Sequence, residues 1–182
     1  MKKICLILFL TSITFEVFAS VKYEVIKNFE NVKNLSFEFE QNINGKIENG
    51  KCVVEYPKKI FCEYDLNNKK ILVSNGRSLV IKTTNSFYIY PLDKTVLNLS
   101  LDKEFLIKKI KKSNERIVDG KFINFNFSQD ENEINVFFDN KTFNLIGWQT
   151  LDIYQNLSIT YLNSIIKNKK LKNNLFKLPA QN

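Results

Sequence analysis

The sequence predicts an α+β protein built as an incomplete (unclosed) antiparallel β-barrel of about ten strands covered by a helical lid. Apolar and polar residues alternate in many short runs, as in FEFE at 37–40, which is typical of strands with one buried face. Turn-forming pairs such as Asn75-Gly76 separate these runs. Helical spacing replaces the alternation at 21–33 and 101–112. A sheet this wide must curl, so the two helices can cover its concave face.

The N-terminus has the pattern of a secretory signal peptide, which we assign to residues 1–19. Two lysines precede the apolar run 4–13, and the segment VFA at 17–19 fits a cleavage site. The apolar run is too short to span a membrane, which takes about 20 residues. We therefore expect export to the periplasm, with residues 20–182 forming a single domain.

The two predicted helices are supported by different features. The second, at 101–112, has Ser100 as its expected N-cap and acidic residues in its first turn. Its C-terminal end carries the lysines of 108–112, where cations interact favourably with the helix dipole. The first, at 21–33, places its apolar residues on one face: Val21, Val25, Phe29 and Val32.

The remaining apolar runs are assigned to strands, and the short connections between them make neighbouring strands antiparallel. Turns are predicted at Asn44-Gly45, Asn49-Gly50, Asn67-Asn68, Asn75-Gly76 and Thr84-Asn85, and near Asn140 and Asn156. Strands are predicted from Leu35 onward and then at 51–56, 60–65, 70–74, 78–83, 86–90, 123–127, 134–138, 143–153 and 157–166.

The sequence contains no histidine, which removes the usual general base and the commonest metal ligand. Phosphate-binding glycine loops of the G-x-x-x-x-G-K-[ST] and G-x-G-x-x-G types are also absent from it. Glu38 with Glu40, and Glu131 with Glu133, form carboxylate pairs of the kind that glycoside hydrolysis uses. A half-exposed strand with an alternating polar face explains both pairs more simply. We therefore predict no catalytic residues, no cofactor and no metal.

The formal net charge is +8, and it falls to +7 when two lysines and Glu16 leave with residues 1–19. Basic proteins often bind nucleic acid. Here the positive charge is almost all lysine, with Arg77 and Arg116 as the only arginines, and the lysines are scattered apart from 108–112. We therefore expect no nucleic-acid partner.

Cys52 and Cys62 are the cysteines that remain outside the predicted signal peptide. An even number of cysteines in an exported protein favours a disulfide. A three-residue loop at 56–58 would place the two residues opposite each other in a hairpin, within bridging distance. A two-residue loop would shift the register and turn the sulfurs to opposite faces. We predict the disulfide, with two reduced, partly buried thiols as the alternative.

Several segments of the chain, taken in order, carry a resemblance to a known family. They are SFEFEQ at 36–41, GKCVVEYPKKIFCEY at 50–64, ILVSNGRSLVIK at 71–82, NLIGWQTLDIYQNLSITYLN at 144–163 and LFKLP at 175–179. With the opening helix, they resemble the periplasmic outer-membrane lipoprotein carrier protein (LolA) family over nearly all of 20–182. The resemblance implies an apolar interior that takes the acyl chains of a lipoprotein released from the inner membrane by an ABC-type transporter.

The resemblance also implies partners and site residues. The expected partners are acylated lipoproteins and the inner-membrane ABC-type lipoprotein-releasing complex, with an outer-membrane acceptor as a further candidate, and we expect a monomer. Cys52 and Cys62 fall where the family is usually apolar, so both should point inward. Where the family often has an arginine before the proline, this chain has Tyr56, whose hydroxyl can latch the lid through one hydrogen bond. Strand alternation nominates the acyl-chain contacts: Phe37, Phe39, Val54, Tyr64, Leu72, Leu79, Ile81, Phe125, Phe127 and Trp148.

A second hypothesis is a periplasmic module of similar half-barrel shape that binds lipid or glycolipid, or senses envelope stress. Such a module would hold free lipid, whereas a carrier would hold an acylated polypeptide. The ligand extracted from the purified protein would distinguish the two.

Overall fold

The computed structural model describes residues 20–129, 132–151 and 155–181. The predicted signal peptide, Glu131 and the end of the predicted strand 143–153 lie outside these ranges. The helices are α1 (Val21–Glu30), α2 (Leu97–Ser100) and α3 (Lys103–Lys112), with a 3-10 turn at Leu92–Lys94. The strands are β1 (Asn34–Ile43), β2 (Lys46–Glu55), β3 (Lys59–Tyr64), β4 (Ile71–Asn75), β5 (Ser78–Lys82), β6 (Phe87–Pro91), β7 (Glu115–Val118), β8 (Phe122–Gln129), β9 (Asn132–Asp139), β10 (Leu145–Leu151) and β11 (Leu157–Lys167).

In the described part of the chain, the strands form an eleven-stranded antiparallel sheet in the order β6-β5-β4-β3-β2-β1-β11-β10-β9-β8-β7. The chain runs from β1 out to one edge and returns from the other edge to β11, which pairs with β1 at the centre. The edge strands β6 and β7 are not neighbours, so the sheet stays open. This confirms the predicted unclosed antiparallel barrel, and β7 is a strand that the alternation does not predict. None of the described helices is long and apolar enough to cross a membrane.

Helix α1 begins at a side-chain cap. The hydroxyl oxygen of Ser20 accepts a hydrogen bond from the backbone N–H of Tyr23 at 3.2 Å, which satisfies one of the free donors of the first turn. The helix buries Val25 and Phe29, as its spacing predicts. It ends at Glu30, and the predicted fourth apolar residue, Val32, is buried just beyond it.

Helix α3 confirms the second predicted helix but begins at a different cap. The prediction of Ser100 as N-cap is wrong, because Ser100 ends α2. The carboxylate of Asp102 instead accepts a hydrogen bond from the backbone N–H of Phe105 at 3.0 Å. A carboxylate at this position both satisfies a free donor and interacts favourably with the positive end of the helix dipole.

The turn predicted at Asn49-Gly50 is wrong, because both residues lie inside β2. Gly50 pairs with Phe39 of β1, and a Cβ at position 50 would lie 2.8 Å from Cε1 of the Phe39 ring. This glycine therefore permits a close approach within the sheet rather than a turn. The preceding pair, Asn44-Gly45, does form the β1–β2 turn, with φ values of 49° and 87°.

Helices α1 and α3 pack over one half of the curved sheet. Phe29 of α1 meets Phe138 of β9 edge to face, with ring centroids 5.7 Å apart, and Phe105 of α3 meets Phe127 of β8 at 6.1 Å. Phe138 and Phe125 are completely buried beneath them, and their rings also pack edge to face. This half of the concave face is filled by the core, and open space remains beside it along β1–β5.

Candidate functional site

A cavity of about 180 Å³ lies on the concave side of the sheet, between β1–β5 and the facing ends of β10 and β11. Thr95 and Val96, which precede α2, and Leu97, its first residue, border it on the side away from the sheet. Its wall is mostly apolar, which suits a hydrocarbon ligand. Side chains of Ile43, Ile60, Val96, Leu97 and Leu151 contribute to this wall together with residues that the sequence predicts.

The structure divides the ten predicted contact residues into two sets. Six of them line the cavity: Phe39, Tyr64, Leu72, Leu79, Ile81 and Trp148. The other four, Phe37, Val54, Phe125 and Phe127, are buried in the packed core beside it. Phe37, for example, packs against the Trp148 ring with centroids 6.1 Å apart and so lies next to the cavity wall. Contact of any of these side chains with an acyl chain stays a prediction.

The predicted disulfide between Cys52 and Cys62 is confirmed. The loop between β2 and β3 is the three-residue one, 56–58, and the register pairs Cys52 with Cys62 across the hairpin. Their Sγ atoms are 1.97 Å apart and their Cα atoms 4.1 Å apart. Both side chains are buried and line the cavity, so the disulfide forms part of its wall.

The segment that covers the cavity, residues 95–100, is held mainly at its two ends. Before it, the backbone N–H of Leu92 donates to the carbonyl of Arg77 at 2.8 Å, and after it the carbonyl of Leu101 accepts from Lys58 N–H at 2.9 Å. Within the described ranges, the backbone hydrogen bonds of the cover segment itself stay inside residues 92–102. Between its anchors, the segment therefore rests on the cavity through side-chain packing.

The tip of the β2–β3 hairpin contacts the helices at Tyr56 and Lys58. The ring of Tyr56, predicted as the lid latch, packs edge to face against Phe29 of α1 with centroids 5.6 Å apart. Burial raises the pKa of its hydroxyl above the ordinary value for tyrosine. A salt bridge also joins the hairpin tip to α3, because the ammonium of Lys58 lies 3.3 Å from the carboxylate of Asp102 at the start of that helix. Sequence reasoning missed Lys58, although it lies in the same three-residue loop as Tyr56.

One end of the cavity is polar. Glu48 on β2 is 4% exposed, and its carboxylate lies 2.5 Å from the ammonium of Lys70 and 3.0 Å from that of Lys46. Burial acts to raise the pKa of Glu48, but the hydrogen bonds and positive charges of Lys70 and Lys46 outweigh it and leave the pKa below its ordinary value. Lys70, which lines the cavity, also lies 4.0 Å from the centroid of the Tyr64 ring. Burial and the charge of Glu48 raise the pKa of Tyr64.

We expect Glu48→Gln to lower the free energy of unfolding at neutral pH by about 2 kcal/mol, because the two lysines lose their carboxylate. The lowered pKa in the folded protein means that this stabilisation is complete above the ordinary glutamate pKa. It is lost as the pH falls through the lowered pKa. Urea unfolding of both proteins at a series of pH values measures the difference.

The matched control is Glu55→Gln, which removes a carboxylate that pairs with Lys59 at the protein surface. Exposed pairs contribute little, so the control should change stability by less than about 1 kcal/mol. A difference between wild type and Glu48→Gln that stays constant from neutral to strongly acidic pH would contradict the prediction.

Within the described ranges, no group of three cysteine, aspartate or glutamate side chains is placed to hold a metal ion. The polar residues near the cavity are instead amides, hydroxyls and paired charges. These groups can position a ligand by hydrogen bonding.

Three solved structures align with most of this chain at very low sequence identity. An uncharacterized conserved protein from Thermus thermophilus aligns with a TM-score of 0.51 and 8% identity, over 88% of this chain and 93% of that chain. A LolA superfamily protein from Nitrosomonas europaea aligns at 0.45 and 6% identity over 88% and 99% of the two chains. The lipoprotein LppX from Mycobacterium tuberculosis aligns at 0.45 and 9% identity over 84% and 95%. The Thermus likeness is one of fold alone.

No curated protein sequence matches the chain. Residues 30–179 do match the protein family described as outer membrane lipoprotein carrier protein LolA. This match covers most of the chain and agrees with the open sheet, its helical cover and the order of segments in the sequence. The chain therefore belongs to the outer membrane lipoprotein carrier protein LolA family.

Proposed function

We propose that the protein is a periplasmic carrier that binds the acyl chains of lipoproteins released from the inner membrane and takes them towards the outer membrane. The observation that carries the proposal is the apolar cavity on the concave face, closed by a segment anchored at its ends. Family membership supports the same role. The function requires binding and release but no bond making, so the protein acts without catalysis.

The energy for binding comes from removing hydrocarbon from water. Each buried methylene contributes about 0.8 kcal/mol, so even a short part of an acyl chain is strongly favoured in an apolar cavity. The cavity has a volume of about 180 Å³. Sites for small organic ligands commonly have roughly 300–1,000 Å³. At rest it therefore accommodates part of one acyl chain, and loading a lipoprotein requires the cover segment to move.

The cover segment has the features of a part that can move. Helix α2 within it has four residues, and no side chain caps its N-terminus. A helix this short gains little from its own hydrogen bonds and depends on packing for its stability. Segments with few anchoring contacts open at low free-energy cost while the rest of the fold stays intact. The anchors at Leu92 and Leu101 would keep an opened segment close to the cavity.

The cover segment also favours release of the bound acyl chain. Val96 and Leu97 line the closed cavity, so they occupy apolar surface that an acyl chain would otherwise cover. When a ligand leaves, these side chains return to the wall, and their burial offsets part of the free energy lost with the ligand. This competition lowers the net affinity, which suits a protein that must hand its ligand on.

The proposed partners follow from this role. Acylated lipoproteins are the ligand, the inner-membrane ABC-type lipoprotein-releasing complex supplies it, and an acceptor at the outer membrane is a further candidate partner. The protein is proposed to work as a monomer, because the cavity is formed within one chain.

A second candidate function is a module that holds free lipid or glycolipid. The small volume of the cavity favours it, since a single chain fits with less rearrangement than several. Organic extraction of the purified protein followed by mass spectrometry separates the two functions. An acylated polypeptide supports the carrier, and free lipid alone supports the module.

The test of the carrier function is a release assay. Inner-membrane vesicles that contain the lipoprotein-releasing complex and a labelled lipoprotein are incubated with the purified protein and ATP. The expected result is a soluble one-to-one complex of lipoprotein and carrier. If the lipoprotein stays with the vesicles at every carrier concentration, the proposal is wrong.

We expect Ile81→Trp to reduce release at least tenfold, because Ile81 lines the cavity and a larger ring there occupies ligand space. The matched control is Ile89→Trp, the same change at an exposed position on the neighbouring strand. The control should release lipoprotein like wild type. Circular dichroism and thermal unfolding verify that both variants fold, and equal release by Ile81→Trp and wild type would contradict the role of the cavity.

A further inference from the structure

Polar side chains replace apolar ones on the concave face at one end of the cavity. Along β1 the inward positions are Phe37, Phe39 and then Gln41, where continued alternation would call for another apolar residue. The register places Gln41 beside Thr160 of β11, and one step further Ser158 of β11 pairs with Thr150 of β10. All four polar residues line the cavity. We call Gln41, Thr150, Ser158 and Thr160 the polar band.

The three hydroxyl residues of the polar band are buried, and their hydroxyls have protons to donate. Thr150, Ser158 and Thr160 are 9%, 4% and 3% exposed. The side-chain amide of Gln41 donates to Ser158 Oγ at 3.0 Å and to Thr160 Oγ1 at 3.2 Å. Each of these hydroxyls is thus an acceptor for Gln41 and retains its own proton. Within the described residues, the Thr150 hydroxyl makes no hydrogen bond.

In a permanently closed core, these hydroxyls would not stabilise the fold. Burying a hydroxyl without a partner for its proton costs free energy, and alanine or valine would fill the same space without that cost. The neighbouring wall residues Phe39 and Trp148 are apolar and offer no acceptor beyond their ring faces. The missing acceptor is therefore expected on the molecule that enters the cavity.

The charges nearby favour a neutral acceptor over an anion. Lys70 lines the same end of the cavity, but its ammonium is paired with the Glu48 carboxylate and lies over the Tyr64 ring. Glu48 would repel a ligand carboxylate that approached Lys70. The Tyr64 hydroxyl is directed to Gln41 Oε1 at 3.4 Å and leaves the amide N–H groups facing the hydroxyls. The free donors of the band are neutral O–H groups.

We propose that the polar band receives the carbonyl oxygens of acyl esters or amides, while the hydrocarbon chain lies against the wall of Phe39, Leu72 and Trp148. The inference rests on the proposed function, because it assumes an acylated ligand, and it adds which end of that ligand is recognised and by which residues. Gln41 acts as a positioning residue, because it orients the two hydroxyls that contact the ligand. The ligand therefore enters with its linkage at the polar end.

Two glycerides with equal chains test the inference. Dipalmitoylglycerol carries ester carbonyls, and dihexadecylglycerol carries ether oxygens without carbonyls. Each competes with the hydrophobic dye N-phenylnaphthylamine for the purified protein. For wild type we expect the ester to bind about tenfold more tightly than the ether, the difference that one or two neutral hydrogen bonds make.

The variant Ser158→Ala/Thr160→Val removes two donors with little change of shape. It should lose the tenfold preference while its affinity for the ether is unchanged. The control Thr84→Val/Ser164→Ala makes the same chemical changes at exposed positions and should keep the preference. Thermal unfolding verifies each variant. If the double variant does not fold, Thr150→Val replaces it and should reduce the preference, because the Thr150 hydroxyl has no internal bond to lose.

The outcomes separate this inference from the proposed function. If wild type binds ester and ether equally, or if the double variant keeps the ester preference, the polar band is not the carbonyl site although the protein binds acyl chains. If palmitate binds more tightly than the ester and Lys70→Gln removes that advantage, the site recognises anions and the inference is overturned. If neither glyceride nor palmitate displaces the dye, the proposed function fails and this inference fails with it.

Discussion

The Cys52→Ala/Cys62→Ala variant should lose about 3 kcal/mol of unfolding free energy, because the disulfide closes a short loop and restricts the unfolded chain. The two cysteines are 10 residues apart in sequence and pair across the β2–β3 hairpin. For a domain of this size the loss corresponds to a fall of roughly 6–12 °C in Tm. Differential scanning calorimetry of the purified variant and wild type measures it. Acyl-ligand binding should persist, since the remaining wall of the cavity is apolar.

Reductant provides the control for this prediction. Dithiothreitol should lower the Tm of wild type towards that of the variant and should leave the variant unchanged. Thiol labelling of native protein gives an independent check. Labelling of both cysteines in unreduced protein would show that the disulfide is absent in solution, and equal Tm values would show that it contributes no stability.

Gly50→Ala should destabilise the protein by about 3 kcal/mol, which is near the upper end for overpacking in a closely packed region. A Cβ at this position would lie 2.1 Å from the carbonyl oxygen of Glu63 and 2.8 Å from the Phe39 ring. The carbonyl belongs to the backbone of β3, so the strands themselves must move apart. Because Gly50 pairs with Tyr64, the shift would also displace two residues of the cavity wall. Chemical unfolding measures the loss.

Two variants separate the causes of this loss. Gly45→Ala has open space around the new Cβ but a φ of 87°, so it should cost only about 1 kcal/mol from backbone strain. Gly50→Ala combined with Phe39→Leu removes the ring contact but not the contact with the Glu63 carbonyl. It should therefore stay as unstable as Gly50→Ala alone or become less stable. A Gly50→Ala protein within about 0.5 kcal/mol of wild type would contradict the close approach of β2 and β3.

Most of the fold could be predicted from alternation, and the errors occur where a residue has more than one structural use. Asn49-Gly50 has the composition of a turn, but its glycine is needed for the packing of Phe39 inside the sheet. Ser100 and Asp102 are both good N-caps, and the extra short helix α2 decides between them. Local composition could not decide the first case, because the Phe39 ring comes from another strand, and in the second case both residues are suitable caps but Ser100 belongs to α2.

The sequence predicted less of the candidate site than of the fold. Alternation places Phe39 and Phe125 on the same concave face, but Phe39 lines the cavity and Phe125 is buried under the helices. The difference depends on where α1 and α3 pack. Lys58 and the polar band were also missed, because a search for apolar residues passes over inward-facing polar ones. The inward-facing positions of β1 continue from Phe39 to Gln41, and this pattern could have identified the polar band.

Within each regular stretch of strand, the sequence alone determines which residues share a side of the sheet, because side chains in a strand alternate with a period of two. The Cys52–Cys62 register was left open by the sequence between a two-residue and a three-residue loop, and the structure decides it, because the loop at 56–58 pairs Cys52 with Cys62. The place of the cavity was decided by tertiary structure. Helices α1 and α3 are shorter than the curved sheet is wide, so they fill the concave face over β8 and β9, and the space that they leave lies along β1–β5 under α2 and the residues before it.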